Sequence, residues 1–143
     1  MDYLKVLVEE IHSVVVATVD ETGHPHTAVM DMMWEDGKTV YFLTADFKSL
    51  YKRLKEDGRV AVTGMTQGAG TMDRKSISLT GQVEWIGKEH LEELLKANPY
   101  MYEIYPTEEG RSHLQVFRFK NAVGNFYDLT QLPPYQARFE IEG

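Results

Sequence analysis

Between Ser13 and Thr44 the chain passes through three extended segments separated only by short turns. SVVVATVD (13–20) is β-branched and continuous. It ends in Asp20-Glu21-Thr22-Gly23, a turn whose glycine can take positive φ. HPHTAVMDMMW (24–34) is closed by Glu35-Asp36-Gly37-Lys38, and TVYFLT (39–44) follows; Asp-Gly is a strong hairpin signal. Turns this short cannot hold the crossover a parallel pair requires, which takes about a dozen residues or more. The three strands are therefore predicted as an antiparallel meander, which disfavours a parallel doubly wound sheet.

The rest of the chain alternates between the two periods. Residues 2–12 place Leu4, Leu7, Val8 and Ile11 at helical spacing. Residues 47–57 put Leu50, Tyr51 and Leu54 on one helical face, with Lys48, Lys52, Arg53 and Lys55 making the segment basic and Asp57-Gly58 stopping it. RVAVTGMT (59–66) reads as a strand, Gln67 to Thr71 as a glycine loop, and KSISLTGQVEWI (75–86) as a long alternating strand. Gly81 in its middle predicts a bulge or bend. KEHLEELLKA (88–97) is an amphipathic helix ended by Asn98-Pro99, and residues 100–109 are aromatic and irregular. HLQVFRFKNAV (113–123) is another strand, 125–129 a short one, and the tail from Pro133 is expected to pack loosely. The sum is a mainly-β chain of six to seven antiparallel strands with short flanking helices, curling into a small barrel.

Composition narrows the function classes. At 143 residues, 43% apolar and 26% charged, the chain suits one globular domain spanning 1–143, without repeat or linker. Fifteen basic residues against 22 acidic give a net charge of −7, which argues against a nucleic-acid or polybasic membrane-surface partner. Cysteine is absent, so disulfides, thiolate catalysis and zinc–thiolate sites are excluded. No apolar run approaches the ~18–20 residues of a membrane span. The amino terminus MDYLK lacks the pattern of a signal peptide, so cytoplasm is the expected location.

Among chemical motifs, Gly64, Gly68 and Gly70 have the wrong spacing for a dinucleotide turn, and no P-loop lysine follows. No metal site is expected: His24 and His26 follow a turn without a carboxylate at metal spacing, and His12, His90 and His113 lack a local signature. No nucleophile elbow is present. The junction Thr44-Ala45-Asp46-Phe47-Lys48-Ser49 stands out. A strand ends, and a helix opens carrying Lys48, Ser49 and Lys52; helix N–H groups, a hydroxyl and ammonium groups suit a phosphate monoester. The same residues also read as a solvated helix face beside Glu56 and Asp57. Met30-Asp31-Met32-Met33-Trp34 suits a flat aromatic ligand, and equally a core or a dimer interface.

The order of these pieces resembles the FMN-binding split β-barrels related to pyridoxamine 5'-phosphate oxidase. The likeness runs through residues 17–34, 39–54, 59–66 and 75–87, and the helix at 88–97 with NPYMYEIYP (98–106) resembles a short subgroup near the nitroimidazole-resistance proteins. The resemblance implies a homodimer with FMN sites at the interface. It places Met30, Asp31, Met32 and Met33 along the flavin ring and Thr44 near the ring or ribityl chain. Lys48, Ser49 and Lys52 then hold the phosphate, and Ser76 lies where the oxidase has a polar FMN contact, five residues before Gly81. Three positions depart from the pattern. Ala28 stands where the oxidase has a phosphate-binding arginine, Ser49-Leu50 replaces its Arg-Lys pair, and no tryptophan follows Trp85. Oxidation of pyridoxamine phosphate itself is therefore not expected.

Two classes of function follow from the resemblance. One is an FMN-dependent oxidoreductase passing electrons from a nicotinamide or other reduced donor to a small aromatic or nitro compound. No residue is compelled as its general acid; Asp31 and His26 are the candidates. The other is a non-catalytic flavin or haem carrier, with His26 or His113 as the available haem ligands.

Overall fold

A computed structural model describes all 143 residues. The strands are β1 (Ser13–Val19), β2 (Pro25–Asp31), β3 (Trp34–Glu35), β4 (Val40–Ala45), β5 (Arg59–Met65), β6 (Lys75–Gly87), β7 (Leu114–Asp128) and β8 (Tyr135–Glu142). They form one antiparallel sheet in the order β2-β1-β5-β6-β7-β4-β3, with β8 also on β7. The sheet curls into a split half-barrel, as the strand pattern predicts. β7 is its spine: it pairs with β6 on one side, and on the other with β4 through Leu114–Arg118 and then β8 through Asn121–Asp128. The expected bend falls at Gly81, whose Cβ would run into the Asn121 carbonyl and sit 2.6 Å from Ala122 Cα. The β6–β7 register shifts beside it, between Gln82 and Val83.

The helices are α1 (Tyr3–Lys5), running on as a π-helical turn over Val6–Ile11, then α2 (Ser49–Glu56), α3 (Leu91–Ala97), α4 (Met101–Ile104) and α5 (Glu108–Arg111). No helix is long and apolar enough to cross a membrane.

β4 explains why the core has two layers. All six of its residues are buried, and they alternate between faces. Val40 and Phe42 point into the barrel with Phe117, Phe119 and Ile77, whereas Tyr41, Leu43 and Ala45 pack outward against Leu94, Leu95 and Met101. A strand covered on both faces needs the continuous apolar run that this sequence has.

Two details differ from the sequence expectation. The first three strands are not a simple meander, because β4 pairs with β3 and β7 and not with β2. Met32 and Met33 are consecutive and both buried, Met32 in the inner core and Met33 in the outer one. β2 ends at Asp31 and β3 starts at Trp34, and the two methionines between them bond through their backbone N–H groups to other elements. Met32 N donates to His12 O at 2.7 Å, and Met33 N donates to Tyr41 O at 2.9 Å. The tail also differs. It forms β8 on β7, where Ile141 is buried, and Phe139 covers Gly124 and stacks on Tyr3 at 4.7 Å. The alternation of Tyr135, Ala137, Phe139 and Ile141 is the strand signal that two prolines just before it obscure.

Candidate functional site

A cleft of about 600 Å³ opens where β2 and the end of β4 meet the start of α2, with α4 and Tyr105 closing its outer side. Its apolar lining includes Met30, Met33, Leu43, Met101 and Leu114. The cations come from one element: α2 and its cap bring Lys48 and Arg53, with the Ser49 hydroxyl between them, beside Thr44 from β4. Local sequence explains the placement. Leu50 and Leu54 bury one side of α2 against the inner core, and residues one position before or four apart, Ser49 and Arg53, fall together on the side turned to the cleft.

Arg53 is held from both sides. Its Nε donates to Thr18 Oγ1 at 2.8 Å and its Nη1 to Ser49 Oγ at 3.2 Å. Neither Lys48 nor Arg53 has a carboxylate within ion-pair distance. Ser49 accepts from Arg53, so its own hydroxyl proton stays free to donate. The first turn of any helix also leaves N–H groups without partners inside the helix. Two unpaired cations, a hydroxyl and a helix start therefore face one edge of an otherwise apolar cleft.

The structure brings together Met30, Asp31, Met33, Thr44, Lys48 and Ser49 from the sequence reading. It separates Met32, which is wholly buried in the inner core, and Lys52, which is exposed away from the cleft lining. Ser76 sits on β6 between Met65 and Tyr127, also outside the cleft. Arg53 joins this edge through its i+4 spacing from Ser49, a signal that a basic helix face hides, and α4 is too short to show a period in the sequence.

Asp31 has further partners. Its Oδ1 accepts from Ser13 Oγ at 2.7 Å, and its Oδ2 accepts from Tyr100 OH at 2.7 Å. His12 Nε2 lies 2.7 Å from the same Tyr100 oxygen, and His12 Nδ1 lies 3.0 Å from Val8 O. Burial of the Tyr100 phenol, with the Asp31 hydrogen bond and charge, pushes its pKa well above the usual tyrosine range.

The other histidines are engaged elsewhere. His26 Nε2 lies 2.8 Å from Asp20 Oδ2 on the β1–β2 hairpin, and this contact, with the His24 and Thr22 bonds, holds the Asp20 carboxyl well below its usual range. His113 Nδ1 lies 2.9 Å from Asp46, lowering that carboxyl too. No histidine lines the cleft, and no group of three metal-ligating side chains occurs.

A family model described as pyridoxamine 5'-phosphate oxidase matches residues 2–127. No curated protein matches the chain. Among solved structures, a NimC/NimA family protein from Clostridium acetobutylicum superposes with a TM-score of 0.76 at 20% identity, over 98% of this chain and 95% of that one. A haem-binding protein from Mycobacterium smegmatis gives 0.71 at 13% identity, over 95% of this chain and 56% of that one. A pyridoxamine 5'-phosphate oxidase-related, FMN-binding protein from Nostoc punctiforme gives 0.60 at 11% identity, over 92% and 87%. At these identities the likeness is one of fold.

Proposed function

Since the chain belongs to the pyridoxamine 5'-phosphate oxidase family, we propose that it holds FMN in the cleft between β2, β4 and α2 and works as an oxidoreductase on a small aromatic or nitro compound. The observation that carries this reading is the pair of cations without carboxylate partners, Lys48 and Arg53, at the α2 start in a chain of net charge −7. FMN joins a flat, largely apolar ring to a phosphate monoester, and the cleft offers an apolar wall and one cationic edge. In this reading Met30, Asp31 and Met33 lie along the ring, and Thr44 meets the ring or ribityl chain. Lys48, Ser49 and Arg53 take the phosphate, so Arg53 supplies from α2 the guanidinium that the resemblance places at position 28. Bound FMN supplies the redox chemistry; the chain binds it, orients it and keeps water from the ring. The two histidines named above as haem ligands, His26 and His113, lie outside the cleft lining.

The same reading makes the protein a homodimer in the cytoplasm. Val15 and Val29 are directly opposed on β1 and β2, and they are 39% and 74% exposed beside the cleft. Such an apolar surface fits a second copy. Ser76, remote from the cleft of its own chain, then reaches flavin only across that interface. Light scattering is expected to give the mass of two chains.

The test has two steps. Purified protein titrated with FMN is expected to bind it saturably. Anaerobic mixing of the loaded protein with a reduced nicotinamide, followed by a nitroaromatic, is expected to bleach and then restore the flavin band. Binding without turnover for any donor assigns the chain to flavin carriage instead, and no binding overturns the reading.

A further inference from the structure

Three groups behind the cleft wall form a chain of short contacts. His12 Nε2 and Tyr100 OH are 2.7 Å apart, and Tyr100 OH and Asp31 Oδ2 are 2.7 Å apart. Asp31 lines the cleft, whereas His12 lines a separate pocket with Glu9, Trp34, Glu35 and Asn98. The chain of contacts thus crosses from one cavity to the other.

Donor counting constrains its protons. Val8 O is only an acceptor, so the contact with His12 Nδ1 fixes a proton on that nitrogen. Tyr100 has one phenolic proton and three neighbours able to accept it, Asp31 Oδ2 and His12 Nε2 at 2.7 Å and the weaker Met33 Sδ at 3.5 Å. The two short contacts are both satisfied only when His12, Tyr100 and Asp31 hold one additional proton. It resides on His12 Nε2 while Tyr100 donates to Asp31, or on Asp31 while Tyr100 donates to His12. The two arrangements differ by short proton shifts and no heavy-atom movement. His12 has φ 63° and ψ −67°, a backbone conformation that non-glycine residues rarely adopt.

We propose that His12, Tyr100 and Asp31 form a proton store that delivers to the cleft at Asp31. The proposal rests on the oxidoreductase reading above. Two-electron reduction of an acceptor A by a reduced nicotinamide, NAD(P)H, follows A + NAD(P)H + H⁺ → AH₂ + NAD(P)⁺. The hydride equivalent comes from the nicotinamide, and the proton is the one the store provides. His12 Nε2 passes its proton to the Tyr100 oxygen as Tyr100 passes its own to Asp31 Oδ2. This leaves neutral His12, intact Tyr100 and a protonated Asp31, which gives its proton to the acceptor and returns to carboxylate. Tyr100 suits the middle position because its raised pKa keeps it from ionising. Ser13 Oγ, at 2.7 Å, fixes the Asp31 carboxylate for the transfer. His12 and Tyr100 touch no reacting atom and act through Asp31.

The charged surroundings are few. Glu9 and Glu35 share the outer pocket with His12, and Glu10 on the same turn as Glu9 pairs with Lys75 at 3.6 Å. Lys48 and Arg53 share the cleft with Asp31.

The test begins on the ligand-free chain. At neutral pH the imidazole ¹⁵N shifts of His12 and the carboxyl ¹³C shift of Asp31 are expected to report one proton held between His12 Nε2 and Asp31, beyond those on His12 Nδ1 and Tyr100. His12 Nε2 also lies 3.6 Å from Asp31 Oδ2, a charge contact that Tyr100→Phe leaves in place, so that variant tests the relay through its kinetics. Shifts that show His12 Nε2 bare and Asp31 as a carboxylate would overturn the proposal. In the FMN-loaded protein, Tyr100→Phe is expected to lower kcat for the nitroaromatic about 10²-fold or more, the usual scale of acid–base assistance. It is also expected to alter the pH profile of kcat while leaving KM near its original value. A parallel loss in KM with an unchanged pH profile would assign Tyr100 a structural role only. The proton is read without cofactor, so failure of the chain to bind FMN counts against the functional reading alone.

Discussion

Replacing Arg53 with alanine sets a phosphate contact against a structural one. Arg53 donates through Nε to Thr18 Oγ1 and through Nη1 to Ser49 Oγ, and its Nη2 makes no hydrogen bond within the chain. A charge-assisted hydrogen bond from that group to a phosphate contributes about 1.5–3 kcal/mol. Its loss weakens FMN binding roughly ten- to 150-fold. Thr18 is 1% exposed, so the variant also leaves a buried hydroxyl without its donor, a cost of about 1–3 kcal/mol that rotation of the hydroxyl partly relieves. The two effects separate with two ligands. Riboflavin has the ring and ribityl chain but no phosphate, so its affinity is expected to stay within about twofold between wild type and variant. The assay is flavin-fluorescence titration at fixed, low salt, since exposed charge contacts are screened as ionic strength rises. Equal losses for both ligands would mean that Arg53 supports the cleft wall and not the phosphate. Unchanged FMN affinity would remove Arg53 from the site.

Three further outcomes are expected. Gly81→Ala drives a methyl group into the Asn121 carbonyl and the Ala122 backbone, so urea unfolding is expected to show a loss of about 1–3 kcal/mol or more, and a neutral result refutes the packing described for β6 and β7. Asn98, 4% exposed, donates from Nδ2 to Met33 O and Leu94 O, both at 2.8 Å; Asn98→Leu strands two buried carbonyls and is expected to cost about 2–4 kcal/mol, while a loss under about 0.5 kcal/mol contradicts that role. The Asp57 carboxyl is lowered to about 2 by its Arg59 contacts, and Asp20, Asp46 and Asp128 are also held low. Groups depressed in the folded state contribute fully above the unfolded carboxylate pKa, about 3.9, and lose that contribution as pH falls through the folded values. The urea midpoint is therefore expected to drop as pH falls from about 4 toward 2, and less steeply in Asp57→Asn; a midpoint that rises over this range contradicts the assignment.

The sequence carried the strands well because they obey period two and are bounded by Asp-Gly, Gly and Pro signals. Gly81 was legible as a bend because a glycine inside a long alternating strand has few other uses. The pairing of β4 was half legible: the short turn after Gly37 joins it to Trp34–Glu35 as the Asp-Gly signal suggests, but its long partner β7 lies far along the chain with no local signal. The phosphate-facing edge was half legible. Lys48 and Ser49 follow from the strand–helix junction, but which of Lys52 and Arg53 turns inward depends on the roll of α2, which Leu50 and Leu54 set through packing. The His12–Tyr100–Asp31 contacts could not be read at all. They join residues 88 and 69 positions apart, and each residue alone carries no motif.

Binding of flavin by ring and phosphate together in this cleft is read by ¹H–¹⁵N chemical-shift mapping of the full chain titrated with FMN. Saturable changes are predicted at 27–31, 43–50, Arg53 and 101–105, with the changes at Lys48, Ser49 and Arg53 missing when riboflavin replaces FMN. Changes centred elsewhere, or none at saturating FMN, would contradict flavin binding in this cleft.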